Sequence, residues 1–262
     1  MERGTIGPLP YAAFGTGAPV VALGGLLPMT GVARRTTVQS AVGMFSFLAR
    51  RHRLVALNRR AGLPRGMTMA EMAAEHAEAI RAGFDGPVDV VGLSTGGSIA
   101  LQLAADHPDV VRRLVVVGAA ARLGPEARAV QMAIAVRIRA GALRQSYAVM
   151  GADLVPPGVA QVPLAALFWL LGPLVMRDRQ GLDDMATTIE AEDGFDLATC
   201  PRITAPTLII AGSEDTTYTP ALFEETAALI PGSTLELLEG RGHVTMLRDR
   251  RFRPALEAFL AP

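Results

Sequence analysis

A glycine-flanked serine near the middle of the chain places the strongest constraint on its fold. Ser94 lies at the centre of the pattern G-x-S-x-G, after an apolar run that ends at Leu93 and before a run of helix-forming residues. This order of strand, sharp turn and helix holds a serine in a strained backbone geometry, with its hydroxyl clear of the sheet edge. Gly92 and Gly96 fit the same turn, because a Cβ at either position would crowd the adjoining helix. We predict that Ser94 is a nucleophile; the alternative is a tight turn in which Ser94 only caps the helix.

The composition is that of a globular chain without a strong electrostatic preference for a partner. Half of the 262 residues are apolar, 19% are charged, and the formal net charge is zero. This balance argues against a broad binding surface for nucleic acid or for an anionic membrane. The longest apolar stretch, Val162 to Met176, is about five residues short of a membrane span and is broken by proline and glycine. We therefore expect no nucleic-acid partner and no transmembrane segment.

Cysteine and histidine usage argues against two further kinds of site. Cys200 is the only cysteine, so the chain can form no intramolecular disulfide and needs no oxidising compartment. The four histidines lie far apart, and none belongs to an H-x-x-x-H pair that could bind a metal. The sequence opens without an apolar leader segment. We expect a cytoplasmic protein without a metal site.

Short apolar strands alternate with helical segments along most of the chain. Continuous apolar strands of this kind are typical of an α/β fold, in which helices cover both faces of a parallel sheet. One of the helices opens with a capping box, formed by Thr68 and by Glu71 three residues later. The predicted strands are Pro19–Leu23, Arg53–Leu57, Val88–Leu93, Leu114–Gly118, Thr207–Ala211 and Thr234–Leu238.

The alternation of strands and helices stops between Arg122 and Phe195. This segment is rich in alanine, leucine and methionine, and no strand pattern recurs for about seventy residues, which is too long for a plain connection. We predict a helical cap over residues 122–195, inserted into a core that comprises residues 1–121 and 196–262. Phe168 and Trp169 have two interpretations: an apolar wall against the substrate, or the interior of the cap itself.

Two residues after later strands complete the set that a reactive serine needs. A serine hydroxyl is a poor nucleophile until a base accepts its proton, and a histidine oriented by a carboxylate usually does so. Asp215 follows one strand in a G-x-x-D turn, and His243 follows the next strand in a glycine-rich turn. Loops at the carboxyl ends of parallel strands converge, so both side chains can meet Ser94. We predict Asp215 as the acid, with Glu214 as its competitor, and His243 as the base.

Two backbone amides are candidates for the oxyanion hole, which binds the negative oxygen formed during acyl transfer. Thr95, at the start of the helix after the serine turn, is one candidate, because the first N–H groups of a helix have no partner within it. The other should come from the loop Gly24-Gly25-Leu26-Leu27-Pro28. We predict Leu26 as this second donor, and Leu27 stays open as the alternative.

The chain resembles the α/β-hydrolase superfamily over nearly its whole length, and within it the small capped bacterial esterases. The resemblance rests on the serine turn, on His107-Pro108 at the end of the next helix, on the turn at Asp215 and on the turn Gly240-Arg241-Gly242-His243. It implies a core sheet of about eight mostly parallel strands, with a cap over the site. It also implies acyl transfer through a covalent acyl-enzyme, without a metal or an organic cofactor.

Two departures from the family pattern concern loops near the predicted site. Family members usually carry His-Gly after the first central strand, where this chain has Gly24-Gly25. The oxyanion loop is then either more pliable or braced in another way. Many relatives carry Asp-Gly after the strand that ends at Leu57, where this chain has Asn58-Arg59-Arg60. The two cations are either solvated or face the mouth of the site, where they would favour an acidic substrate.

The predicted function is that of a serine hydrolase of the carboxylesterase type, acting on a small to medium, largely apolar ester. Ser94 attacks the carbonyl, His243 takes and returns the proton, and Asp215 orients His243. A lactone, a thioester or a carbon–carbon bond is an alternative target of the same three residues, as is perhydrolysis. An alternative from another class is a non-catalytic receptor or carrier that uses the pocket. The oligomeric state stays open.

Overall fold

The computed structural model describes residues 1–28, 31, 38, 42–153, 158–197 and 203–261; Cys200 lies outside them. Eight strands form one sheet in the order β1-β2-β4-β3-β5-β6-β7-β8. They are β1 (Glu2–Ile6), β2 (Leu9–Phe14), β3 (Pro19–Leu23), β4 (Arg53–Leu57), β5 (Val88–Leu93), β6 (Val111–Val117), β7 (Thr207–Gly212) and β8 (Thr234–Leu238). The sheet confirms the predicted α/β fold with about eight strands.

Most of the sheet is parallel, and the strands that precede the candidate residues open onto one edge. β1 pairs antiparallel with β2, and β2 pairs antiparallel with β4. The other strand pairs described in the sheet are parallel. β5, which ends one residue before Ser94, lies between β3 and β6, and β7 and β8 follow on the far side of β6. The loops after β3, β5, β7 and β8 therefore meet at the same edge.

Helices cover the sheet and connect its strands. The α-helices are α1 (Met69–Gly83), α2 (Thr95–Asp106), α3 (Pro125–Arg139), α4 (Leu143–Asp153), α5 (Gln161–Val175), α6 (Arg179–Asp193), α7 (Pro220–Leu229) and α8 (Phe252–Phe259), and 3₁₀ helices cover Gly43–Arg50, Pro108–Val110 and Thr245–Arg248. The predicted capping box opens α1, where Thr68 Oγ1 accepts from the Glu71 N–H and the Glu71 carboxylate accepts from the Thr68 N–H. Among the described helices, none has both the length and the apolarity that crossing a bilayer requires.

The sheet separates two apolar layers, which explains why its strands are apolar throughout. Side chains alternate between the two faces of a strand. In β3, Val21 and Leu23 pack on one side and Val20 and Ala22 on the other, and each is at most 2% exposed. A slip of one residue would exchange the two sets between layers, so burial of both faces fixes the register. The edge that carries the candidate residues is thereby held in place.

Residues 122–195 contain the helices α3 to α6 and have an apolar cluster of their own. Ile134, Tyr147 and Met185 lie in this cluster and are at most 5% exposed. Arg122 and Asp196, at the two ends of the segment, form an isolated β-bridge. The chain therefore leaves the core and returns to it at one point. The division into a core and a cap at these residues stays a prediction.

Candidate active site

Ser94 occupies the sharp turn between β5 and α2. Its backbone has φ 51° and ψ −126°, and within the described ranges it is the one residue other than glycine with a positive φ. A Cβ added to Gly92 would lie 2.3 Å from the Gly96 carbonyl oxygen, and one added to Gly96 would lie 2.4 Å from the Leu23 carbonyl oxygen. Both glycines are therefore needed for the close approach of β3, β5 and α2.

The side chains of Ser94, His243 and Asp215 form one hydrogen-bonded chain. His243 Nε2 lies 3.0 Å from Ser94 Oγ, and His243 Nδ1 lies 2.7 Å from Asp215 Oδ2. The serine and the histidine are 149 residues apart in the sequence, and the loops after β5 and β8 bring them together. A carboxylate can only accept a hydrogen bond, so Nδ1 carries the hydrogen and Nε2 presents its lone pair to the Ser94 hydroxyl.

Asp215 is fixed by the backbone of its own turn. Its Oδ1 accepts from the N–H groups of Thr217 at 2.8 Å and Tyr218 at 3.1 Å, which leaves Oδ2 for the histidine. The carboxylate is fully buried, and the Tyr218 ring lies nearly parallel to the His243 ring, with 6.1 Å between the ring centres. Glu214, the competing acid, lines the neighbouring cavity, while its N–H donates to the Arg241 carbonyl. The histidine thus meets Asp215.

The two segments that carry the predicted oxyanion donors both lie next to Ser94. Thr95 is the first residue of α2, so its N–H is among those that have no acceptor within the helix. The loop after β3 also comes close, since a Cβ added to Gly25 would lie 3.4 Å from Ser94 Cβ. Leu26 and Leu27 both line the cavity that Ser94 faces. The choice of Leu26 over Leu27 as the second donor stays a prediction.

Arg59 braces this loop, which corrects both expectations for the first of the two cations after β4. Arg59 is 6% exposed, and its guanidinium donates to the Leu27 carbonyl at 3.1 Å and to the Thr188 hydroxyl. Burial lowers its pKa to about 10, which leaves the side chain charged at neutral pH, and the nearby carboxylates of Asp184 and Glu192 favour the charge. Arg60 pairs with Glu75 at 2.8 Å. Arg59 is therefore neither solvated nor at the mouth of the cavity.

Glu192, near the end of α6, connects the inserted segment to both halves of the site. Its carboxylate is fully buried and accepts from the hydroxyls of Thr95 at 2.8 Å, Ser98 at 2.7 Å and Tyr218 at 3.0 Å. Burial raises the pKa of Glu192, and these donors oppose the shift. Thr95 follows the serine and Tyr218 holds Asp215. One side chain therefore bonds both the residue that follows Ser94 and the residue whose N–H binds Asp215.

Glu192 could not be recognised as a site residue from its local sequence. A glutamate in a polar helix is usually solvated, and no motif marks this one. The departure at Asn58-Arg59-Arg60 was the available signal, because an unexpected cation beside the sheet edge calls for a buried carboxylate nearby.

A cavity of about 780 Å³ opens beside Ser94 and His243. Apolar side chains from residues 122–195 form much of its wall: Ile134, Met150, Phe168, Met176 and Met185. Trp169, predicted together with Phe168, lies elsewhere. It is 44% exposed, and the Arg144 guanidinium lies 4.7 Å from the centre of its ring. The two residues separate because successive side chains of a helix point in different directions.

Comparison with known proteins shows the family to which the chain belongs. Residues 34–255 match the family model of the alpha/beta hydrolase family. The chain belongs to this family. A pimeloyl-[acyl-carrier protein] methyl ester esterase of Neisseria meningitidis is 31% identical over 179 residues, which are 65% of this chain and 67% of that protein.

Two solved structures are similar over almost the whole chain. A hydrolase from Pseudomonas aeruginosa PA01 has a TM-score of 0.76 and 27% identity, covering 97% of this chain and 94% of that one. The enol-lactonase from Burkholderia xenovorans LB400 has a TM-score of 0.74 at 21% identity, with both chains fully covered, and shows the fold. The predicted family is thereby confirmed, and the protein is a hydrolase with esterase-like homologues.

Proposed function

We propose that this hydrolase cleaves carboxylic esters by nucleophilic attack of Ser94 and through a covalent acyl-enzyme. The observation that carries the proposal is the hydrogen-bonded chain from Ser94 Oγ to His243 Nε2, at 3.0 Å, and from His243 Nδ1 to Asp215 Oδ2, at 2.7 Å. Acyl transfer by serine requires a nucleophile bonded to a base, and a base bonded to an orienting acid. The cavity beside Ser94 gives a substrate carbonyl access to the serine oxygen.

In the acylation step, the Ser94 oxygen forms a bond to the carbonyl carbon while His243 Nε2 takes the hydroxyl proton. The tetrahedral intermediate then collapses: the bond to the alcohol oxygen breaks, and His243 returns the proton to that oxygen. Water attacks the acyl-enzyme with the same proton transfers and releases the acid and free Ser94. Asp215 accepts from Nδ1 throughout, keeps the ring in the reactive tautomer and stabilises the imidazolium.

The backbone N–H groups of Thr95 and Leu26 form the oxyanion hole in this proposal. Thr95 suits the role because it begins α2, and the Glu192 carboxylate holds its side chain at 2.8 Å. Leu26 suits it because Arg59 holds the next carbonyl, that of Leu27, and so restrains the loop in which the His-Gly pair of relatives is missing. Donors fixed before the reaction need no reorganisation as charge develops on the carbonyl oxygen.

The substrate is an ester with a small to medium, largely apolar acyl or alcohol group. The cavity wall supports this choice, since its methionine and phenylalanine side chains adapt to apolar groups of varied shape. Because these side chains come from residues 122–195, we assign the segment the role of a cap. The name of the Neisseria relative, a methyl ester esterase, supports an ester as the bond that is cleaved.

The test is the Ser94→Ala variant, assayed with p-nitrophenyl butanoate. We expect kcat/KM to fall at least about a thousandfold, the scale of triad knockouts. Ser46→Ala is the matched control, because Ser46 is an exposed serine outside the cavity lining; its rate should equal that of the wild type. Full activity of Ser94→Ala would exclude Ser94 as the nucleophile.

Labelling with a fluorophosphonate separates an enzyme from a binding protein that uses the same pocket. The wild-type protein should label at Ser94, and His243→Ala should label far more slowly, because the serine then lacks its base. Absence of labelling in the folded wild-type protein would favour the receptor or carrier alternative. Parallel assays with a lactone, a thioester and a peracid-forming reaction would then rank the other reactions of the same three residues.

A further inference from the structure

The outer side of α5 is an exposed apolar surface. Among the described residues, eight of the eleven exposed large apolar side chains lie between Val159 and Val175. Four of them lie within about 100° of one another around the helix, are 40–60% exposed, and form what we call the α5 face: Leu167, Leu170, Leu171 and Leu174. No residue from Val159 to Met176 is charged. Single exposed apolar residues are common, but a patch of this size marks a surface that another surface covers.

The packing of α5 on α4 explains why this side of the helix stays exposed. Gly172 is the buried residue of α5, and a Cβ added to it would lie 2.4 Å from the Tyr147 ring of α4. α4 therefore packs closely against the side of α5 that carries Gly172. Leu170 and Leu174 lie two positions before and after that glycine, which places them about 160–200° away around the helix. Both side chains thus point away from α4.

An arginine of α4 compensates for the proline inside α5. Pro173 has no N–H, so the carbonyl of Trp169, four residues earlier, has no donor within the helix. The Arg144 guanidinium donates to this carbonyl at 2.9 Å and lies 4.7 Å from the centre of the Trp169 ring. The helix therefore continues past the proline to Val175, and Leu174 joins the α5 face.

The spacing and the area of this surface match a helix that pairs with a second helix. Leu167, Leu170 and Leu174 have the alternating spacing of three and four residues that apolar positions have in a coiled coil. Together with the exposed apolar residues beside it, the α5 face offers on the order of 800 Å² of apolar surface, which is what each partner buries in an interface of standard size. The largest patch of a typical monomer is smaller, roughly 300–600 Å².

The charges around the α5 face favour a second copy of this chain over a lipid surface. Helices that lie on a membrane are rich in lysine and arginine, which attract anionic lipids. Here both signs follow the helix, since Asp178 stands between Arg177 and Arg179, and the formal net charge of the chain is zero. A second copy is not repelled by a neutral chain, and it presents the same apolar stripe. Identical stripes can cover each other about a two-fold axis.

We propose that the α5 face is the interface of a homodimer, in which α5 of one copy packs on α5 of the other about a two-fold axis. In such an interface a side chain near the axis meets its own counterpart. Leu170 is the middle residue of the stripe and lies nearest the axis. The inference is independent of the proposed reaction, although Phe168 of the same helix lines the cavity. One helix then carries the cavity wall on one side and the partner on the other.

The first experiment measures the mass of the full chain in solution by sedimentation velocity. Interfaces of this size bind with micromolar affinity or better, so we expect a dimer with a Kd of about 1 μM or lower. The protein should then have about twice the mass of one chain at about 100 μM, a hundred times that Kd. A monomer at this concentration would overturn the proposal.

The second experiment assigns the dimer to the α5 face. In Leu170→Glu two carboxylates would face each other across the axis in apolar surroundings, so we expect the Kd to rise at least about a hundredfold. Val136→Glu on α3 is the matched control, because Val136 is 59% exposed and Leu170 is 58% exposed; its Kd should equal that of the wild type. If Leu170→Glu does not fold, Leu174→Glu tests the same face. A dimer that persists in the folded variants would overturn the assignment.

A mixture of two variants tests the two-fold arrangement. Leu170→Glu and Leu170→Arg should each be monomeric, and an equimolar mixture should form a heterodimer, because opposite charges then meet at the axis. A mixture that stays monomeric, although the wild type dimerises, would overturn the packing of α5 on α5.

Flotation with vesicles of phosphatidylcholine and phosphatidylglycerol tests the lipid alternative. A homodimer that buries the α5 face should leave the wild-type protein unbound. Vesicle binding that Leu170→Glu abolishes, in a protein that is monomeric without lipid, would overturn the homodimer and assign the α5 face to a membrane surface.

Discussion

The two sides of Ser94 are built in different ways. On one side, His243 and Asp215 come from the loops after β8 and β7, and the His243 side chain is 24% exposed toward the cavity. On the other side, Glu192 from α6 and Arg59 from the loop after β4 lie beneath the serine, at most 6% exposed. In the proposed mechanism the first pair acts on the substrate, and the second restrains the backbone around Ser94.

The difference shows that residues proposed to react lie on exposed loops, while residues that hold them in place are buried. A base must reach solvent and substrate, so it belongs on a loop at the sheet edge. A positioning charge gains from the interior, where low dielectric strengthens its hydrogen bonds and three hydroxyl donors surround one carboxylate. Variants on the loop side should therefore change rate more than stability. On the buried side Arg59 variants should do the reverse, while Glu192, which bonds Thr95, should also affect the rate.

The largest effect should follow Asp215→Asn. The asparagine oxygen can still accept from the Thr217 and Tyr218 N–H groups, so its NH₂ group faces His243 Nδ1 and favours the wrong tautomer. We expect kcat to fall by roughly 10³–10⁴-fold, with little change in Tm. Glu214→Gln, one residue earlier, is the control and should keep most of the activity. The reverse result, a large loss for Glu214→Gln alone, would make Glu214 the acid.

Arg59→Met should produce the largest loss of stability. The variant leaves the Leu27 carbonyl and the Thr188 hydroxyl without their donor, and Asp184 and Glu192 without the nearby cation. We expect the free energy of unfolding in urea to fall by about 3 kcal/mol. The adjacent Arg60→Met removes only a partly exposed pair with Glu75 and should cost less than about 1 kcal/mol. Equal losses for the two arginines would mean that the buried contacts of Arg59 contribute no more to stability than the surface pair of Arg60.

Lowering the pH should reduce the stability of the fold through the buried His76 on α1. Burial lowers the pKa of His76 to about 4 from 6.5, and the Arg59 cation adds to the shift. Between these two pKa values the unfolded chain binds a proton at His76 and the folded chain does not. The contribution of His76 to the free energy of unfolding is therefore complete above pH 6.5 and is lost as the pH falls toward 4. Between pH 7 and pH 5 it amounts to about 2 kcal/mol. His76→Gln should flatten the pH dependence of unfolding by that amount; an unchanged slope would show that other groups cause it.

The loop side could be predicted from the sequence because each residue follows a recognisable turn. Ser94 is fixed by Gly92 and Gly96, and Asp215 and His243 follow apolar strands whose parallel pairing brings their loops together. A local pattern around each residue and the parallel order of the strands were sufficient to predict these three residues. The same reasoning predicted the six strands β3 to β8, since continuous apolar strands need two covered faces. The count of about eight strands came from the family resemblance.

The buried side could not be predicted, because its residues are brought together by packing between distant elements. Glu192 lies 97 residues from Thr95 in the sequence, and Arg59 lies 129 residues from Thr188. Nothing in the local sequence of α6 distinguishes a glutamate beneath the nucleophile from one in solvent. For the same reason the sequence could not distinguish Phe168 from Trp169. Only the direction in which α5 packs decides which ring faces the cavity.

Glu192→Gln should give the smallest effect and probe the link between the two sides. The amide supplies one acceptor oxygen where the carboxylate supplies two, and its NH₂ group replaces an oxygen that accepts from hydroxyls of Thr95, Ser98 or Tyr218. Thr95, whose N–H is the proposed oxyanion donor, is then less restrained. Because that donor acts mainly in the transition state, we expect kcat to fall about tenfold while KM stays constant. Ser98→Ala removes one donor to Glu192 but leaves Thr95 bonded, so its kcat should change little. A rise in KM with constant kcat would mean that Glu192 shapes the cavity instead of positioning Thr95.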